Sequence, residues 1–126
     1  NSTLAEGFIA PTHVVNYADK LLVSDRGAGA LISIDAEGNK EILIKGLDSP
    51  EGIAIKDDSI YVFEGNTGEI KKIKDNIIST IANVNPGSNV QSEFQPPSMV
   101  FNGLAIKGDY LYISGEVERT LFRIKI

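Results

Sequence analysis

Apolar residues come in short runs separated by polar turns: Ile42-Leu43-Ile44, Ile53-Ala54-Ile55, Ile60-Tyr61-Val62, Ile70 to Ile73 and Ile77 to Ile81. Ile53-Ala54-Ile55 is nearly continuous, the pattern of a strand buried on both faces. Ile60-Tyr61-Val62 is β-branched and aromatic, which suits a pleated surface. Asp57-Asp58 lies between these two runs as a turn, and Gly65-Asn66-Thr67-Gly68 makes the next loop. No window carries an apolar stripe of helical period, so the pattern predicts an all-β chain with very little helix.

The runs also repeat. The stretch that starts at Pro50 aligns without a gap with the stretch 39 positions earlier, from Pro11, and with the one 51 positions later, from Phe101. Asp19, Asp58 and Asp109 share a column, as do Leu21, Ile60 and Leu111, then Val23, Val62 and Ile113. Leu31, Ile70 and Leu121 align, and so do Ile34, Ile73 and Ile124. Four antiparallel strands in about 40 residues is the signature of a β-propeller blade. A small β-sandwich or barrel is the alternative. The units are 11–45, 46–82 and 101–126, within one half-propeller domain over 1–126. The second spacing is wider because of a long loop over 83–100, rich in Asn, Pro, Ser, Gln and Gly. Its Phe94 and Met99 are candidates to cap a channel or to pack across a seam.

The last unit ends without a fourth strand of its own. Leu4 to Pro11 aligns with Leu43 to Pro50 at the same offset of 39, so residues 2–6 are expected as a fourth strand moved to the front of the chain. Propellers have about 4–8 blades, and three do not close a ring. The expectation is therefore a six-bladed ring made by a homodimer, in which each N-terminal strand completes the partner's last blade. A fragment of a longer propeller is the other reading.

Composition narrows the function classes. A length of 126 residues suits one domain, and 42% apolar residues suffice for a core. Seventeen acidic against twelve basic residues, a net charge of −5, argue against a general nucleic-acid or anionic-membrane binder. The absence of cysteine excludes disulfides, thiol catalysis and cysteine-ligated zinc. No apolar run approaches the roughly 18 residues that cross a bilayer as a helix. A first residue other than Met, Asn1, reads as a processed or cut product. The compartment stays open; a soluble chain is expected, and a secreted or periplasmic location is compatible with it.

Gly46-Leu47-Asp48-Ser49-Pro50-Glu51-Gly52-Ile53-Ala54-Ile55, followed by Ile60-Tyr61-Val62, resembles an NHL repeat. Asn102-Gly103-Leu104-Ala105 with Leu111-Tyr112-Ile113 is similar to a segment of the gluconolactonase/regucalcin, strictosidine-synthase-like and paraoxonase group. Both resemblances imply a six-bladed propeller. The lactonase-like group further implies a calcium ion in the central channel, with Asn102 as the matching Asn ligand and Glu51 as the candidate Glu. Phe101 stands where that group has Pro, and the first unit has Thr12 in the same column as Glu51.

In a propeller the first strand of each blade lines the channel, so Thr12-His13, Glu51-Gly52 and Asn102-Gly103 are expected to converge near one mouth. Two-fold doubling of these oxygens suits Ca²⁺, which takes about 6–8 oxygen ligands. A purely structural role, binding channel waters or loop backbone, is the competing reading for Glu51 and Asn102. Thr12, Asp25, Arg26, Glu64 and Glu116 are the candidate ligand-binding residues around the mouth, with Asn66, Glu118 and Arg119 nearby. His13 is the lone histidine and the candidate general base. Asp35 to Asn39 reads as a tight turn between strands, and Lys71, Lys72 and Lys74 as solvated strand positions. The functional expectation is an NHL-like binding or scaffold module that takes a small molecule or peptide at the mouth. The alternative is a calcium-dependent hydrolase of the lactonase or arylesterase type.

Overall fold

The computed structural model describes residues 1–84, 103–115 and 120–126. Eleven strands make three antiparallel sheets among these residues. The first sheet holds β1 (Pro11–Tyr17), β2 (Lys20–Asp25), β3 (Ala30–Ile34) and β4 (Lys40–Lys45) in sequential order. The second holds β5 (Pro50–Lys56), β6 (Ser59–Glu64), β7 (Glu69–Lys74) and β8 (Ile77–Asn83), and the third holds β9 (Leu104–Lys107), β10 (Tyr110–Gly115) and β11 (Thr120–Lys125). The long loop with Phe94 and Met99, and Asn102, Glu116, Glu118 and Arg119, lie outside the described residues.

Each meander follows from its turns. Tyr17 and Lys20 pair across a two-residue turn, as do Lys56 and Ser59, Lys74 and Ile77, and Lys107 and Tyr110. Ala18, Asp57, Asp75, Asn76 and Gly108 take positive φ there, the geometry whose twist matches the flanking strands. Between β3 and β4 the Asp35 carboxylate accepts N–H bonds from Glu37 at 3.0 Å and Asn39 at 2.9 Å, closing the expected tight turn.

The sheets stack face to face. Alternation along each strand sends one set of side chains to each face. Leu22 and Leu31 of the first sheet meet Ile53, Ile60, Val62 and Ile73 of the second. The opposite face of the second sheet, with Ala54, Tyr61, Phe63 and Ile70, meets Leu104, Leu111 and Ile113 of the third. The middle sheet is therefore buried on both faces, which is why β5 and β6 are nearly continuous apolar runs. The first strands β1, β5 and β9 pack side by side along the inner edge. At the outer edge a bulge between Leu31 and Ile32 in the β3–β4 register frees Leu43, so Leu43 and Ile44 both pack on the first core.

Within the single chain residues 2–6 carry no strand. Ala5 and Phe8 instead pack on Val23, Ala30, Ile32 and Ile34, the free face of the chain's own first sheet. Lys40 Nζ donates to Glu6 O at 2.6 Å and sits 4.8 Å from the Phe8 ring centroid. Within one chain that face is the apolar surface within reach, and covering it gains about 25 cal/mol per Å². No helix among the described residues is long and apolar enough to cross a membrane.

Candidate functional site

Thr12, His13 and Glu51 come together at the end of the blades where β1 and β5 begin. Irregular register marks the same place in both strands, between Pro11 and His13 and between Pro50 and Ile53. Such bulges re-aim side chains that would otherwise follow the pleat. Thr12 Oγ1 lies 2.9 Å from Ser24 Oγ and donates to Pro50 O at 3.1 Å. Ser24 Oγ donates to Glu51 O at 2.6 Å, and Ile53 N–H donates to His13 Nδ1 at 2.9 Å. Three side chains of the first blade thus hold the main chain of β5 at successive points. His13 Nδ1 acts as an acceptor, so in the neutral ring the proton resides on Nε2. The ring is oriented by the fold and half-buried. Thr12 and His13 also line an apolar cavity of about 530 Å³ with Phe8, Leu4 and Val23, beneath the N-terminal segment.

Glu51 occupies the position equivalent to Thr12 and is only 2% exposed. Its carboxylate fills the space above Gly65, where a Cβ would fall 1.8 Å from Oε2. In the first blade the matching pair is Thr12 and Arg26. Calcium needs about 6–8 oxygens, and Glu51 brings one buried carboxylate to this end. Among the described residues no three His, Asp or Glu side chains are grouped closely enough to hold a metal ion.

Asp25 and Glu64 end the second strands, and each holds the connection that enters its own blade. Asp25 accepts N–H bonds from Ile9 at 2.8 Å, Ala10 at 2.9 Å and Ala28 at 3.1 Å. Glu64 accepts one from Asp48 at 2.6 Å. Ile9 and Asp48 are equivalent positions, as are the bonds from Arg26 N–H to Ala10 O and from Gly65 N–H to Ser49 O. Burial pushes the Asp25 carboxyl up, but bonds from the N–H groups of Ala10, Ile9, Ala28 and Gly27 outweigh it and hold the group below its ordinary value. Arg26 is half-buried at the same turn.

Lys71 departs from a solvated strand position. It is 19% exposed and sits 2.7 Å from Glu69 Oε2 and 3.6 Å from buried Glu64 Oε1. The bond to Glu69, with the charge of Glu64 beside it, raises the Lys71 pKa against the opposing effect of burial. Ser24, Gly65 and Lys71 were not singled out as site residues from the chain. Gly65 differs from Arg26 in the same column of the repeat, and that contrast is the available signal; Ser24 shares its column with Phe63 and Ser114.

No family model and no curated protein matches the chain in sequence. Solved structures match it in fold. It is similar to a catalytically inactive histidine-to-alanine variant of virginiamycin B lyase from Staphylococcus aureus with quinupristin, at a TM-score of 0.65 and 14% identity, over 92% of this chain and 41% of that one. A streptogramin B lyase matches with a TM-score of 0.63 and 14% identity, over 92% and 40%. A protein of unknown function from Bacteroides thetaiotaomicron matches with a TM-score of 0.62 and 17% identity, over 82% and 32%. The chain spans about two fifths of the length of the two lyases. At these identities the likeness is one of fold: the three sheets are arranged in the manner of neighbouring β-propeller blades.

Proposed function

We propose that this chain is a propeller wall that works within a closed ring, completed by a second copy, and that the Thr12–His13–Glu51 end forms the mouth where a small molecule or peptide binds. One observation carries the proposal. Leu31 and Ile70 are each 0% exposed against the next blade, whereas Leu121, in the same column of the repeat, is 70% exposed. The third blade presents an inter-blade face with nothing over it among the described residues, and such a surface favours association. Residues 9 and 10 enter the first blade through the same bonds that residues 48 and 49 use to enter the second. This equivalence supports the reading of the N-terminal segment as a chain arriving from another blade. In the ring it leaves the Val23 face and pairs as the outer strand of the partner's third blade.

Light scattering coupled to size exclusion should give twice the 13.6 kDa chain mass, and Leu121→Asp should return the monomer. A wild-type monomer at all concentrations refutes completion by a second copy. In this ring Glu51 from each copy, with Asn102, would hold a calcium ion. Calorimetry with Ca²⁺ should show heat that Glu51→Gln removes; no heat in either chain ends the calcium reading.

A second reading is an enzyme of hydrolase or lyase type, favoured by the fixed orientation of His13 with its Nε2 left to face a substrate. Lactone, ester and quinupristin turnover, each lost in His13→Ala while the fold is retained, would put this reading first.

A further inference from the structure

The ends of the blades opposite the mouth carry a groove of about 550 Å³ between the first and second blades. Its floor is apolar: Tyr17 from β1, Leu43 and Ile44 from β4, and Ile55, Ile60 and Ile73 from the second blade. The bulge in β4 is what brings two consecutive side chains, Leu43 and Ile44, onto this core. The rim is acidic. Asp57 and Asp58 come from the β5–β6 turn, and Asp75 and Asn76 from the β7–β8 turn. None of the three carboxylates enters an ion pair or side-chain hydrogen bond among the described residues. Lys56, next to Asp57 in sequence, does not neutralise it; its Nζ is spent on Gly108 O at 2.8 Å and Asp109 Oδ1 at 3.4 Å.

We propose that this inter-blade groove docks an extended segment of a partner protein in which apolar side chains alternate with Lys or Arg. An apolar floor removes side chains from water, and a carboxylate rim with no cation of its own favours a basic segment over an acidic one. The net charge of −5 adds to the same preference. The groove lies wholly within one chain, away from the mouth and from the uncovered face at Leu121. Its test is therefore independent of ring closure.

The probe is a fluorescein-labelled peptide of alternating Leu and Lys, read by anisotropy on the full chain, with a Leu and Glu peptide beside it. The basic peptide should bind saturably at one per chain, and the acidic one should not bind. Asp57→Asn with Asp75→Asn, which retains side chains suited to positive φ, should weaken binding about tenfold or more and flatten its salt dependence. Glu37→Gln with Glu41→Gln makes the same change in net charge elsewhere and should alter affinity less than about twofold. Ile44→Ser, checked for folding by circular dichroism, should also weaken it. The proposal is overturned by no saturable binding, by equal loss in both pairs of charge variants, or by self-association that Asp57→Asn with Asp75→Asn abolishes, which would make the occupant a second copy.

Discussion

At the residue scale, Glu51 and Gly65 show how one repeat is altered without changing its backbone. The first blade has Thr12 and Arg26 in these two columns. Placing a carboxylate at position 51 and burying it requires the facing position to give up its side chain. Gly65→Ala should therefore cost about 1–3 kcal/mol by overpacking. Glu51→Ala in the same chain should recover most of that loss, because the two side chains compete for one space. Urea denaturation of the two single variants and the double variant checks this; additive losses would mean that the pair is not coupled. Thr12, Ser24 and His13 make a similar point on the facing blade. Their polar atoms bind the main chain of β5, so the same residues that make a candidate mouth also hold two blades together.

At the scale of elements, the junctions between blades depend on a carboxylate at the end of each second strand. Asp25 has a folded-state pKa below that of an ordinary carboxyl. Its added stability is present above the unfolded pKa of about 3.9 and is lost as pH falls through the lower folded value. The thermal midpoint of the wild type should thus fall on acidification below about pH 4, and Asp25→Asn should be less stable near neutrality and lose less on the way down. Equal acid slopes in the two proteins would show that the clasp contributes nothing. The burial of strands also sets their tolerance. Ile53→Ala, between two packed sheets, should cost about 2–5 kcal/mol. Ile42→Ala, exposed on the outer strand, should change stability by less than about 0.5 kcal/mol. Thermal melts of both variants check the contrast.

At the scale of the whole molecule, three blades stack through two apolar interfaces, and the outward faces of the first and third blades differ. Ala5 and Phe8 cover the first, whereas Leu121 stands uncovered on the third. Much of this was legible in the chain. The gapless columns are the two faces of a repeated blade: Leu31, Ile70 and Leu121 point one way, and Val23, Val62 and Ile113 the other. The runs at Ile53, Ile60, Ile70 and Ile77 all fall in strands. The grouping of the candidate residues was legible more than their contacts. Thr12, His13 and Glu51 do meet at one end, yet their hydrogen bonds reach across to backbone that no residue column contains.

The sequence by itself determined the all-β character, the strand period and the count of three repeats. These depend on alternation and turn residues within a few positions of each other, and local chemistry is enough to specify them. Only the tertiary structure decided that Ala5 and Phe8 pack on the free face of the first sheet within one chain, that Asp25 and Glu64 clasp incoming chain, that Lys71 balances buried Glu64, and that Leu43 and Ile44 floor a groove. Each of these depends on which apolar face or buried charge stands nearest once the blades are stacked. That proximity comes from packing between distant segments, which no repeat column records.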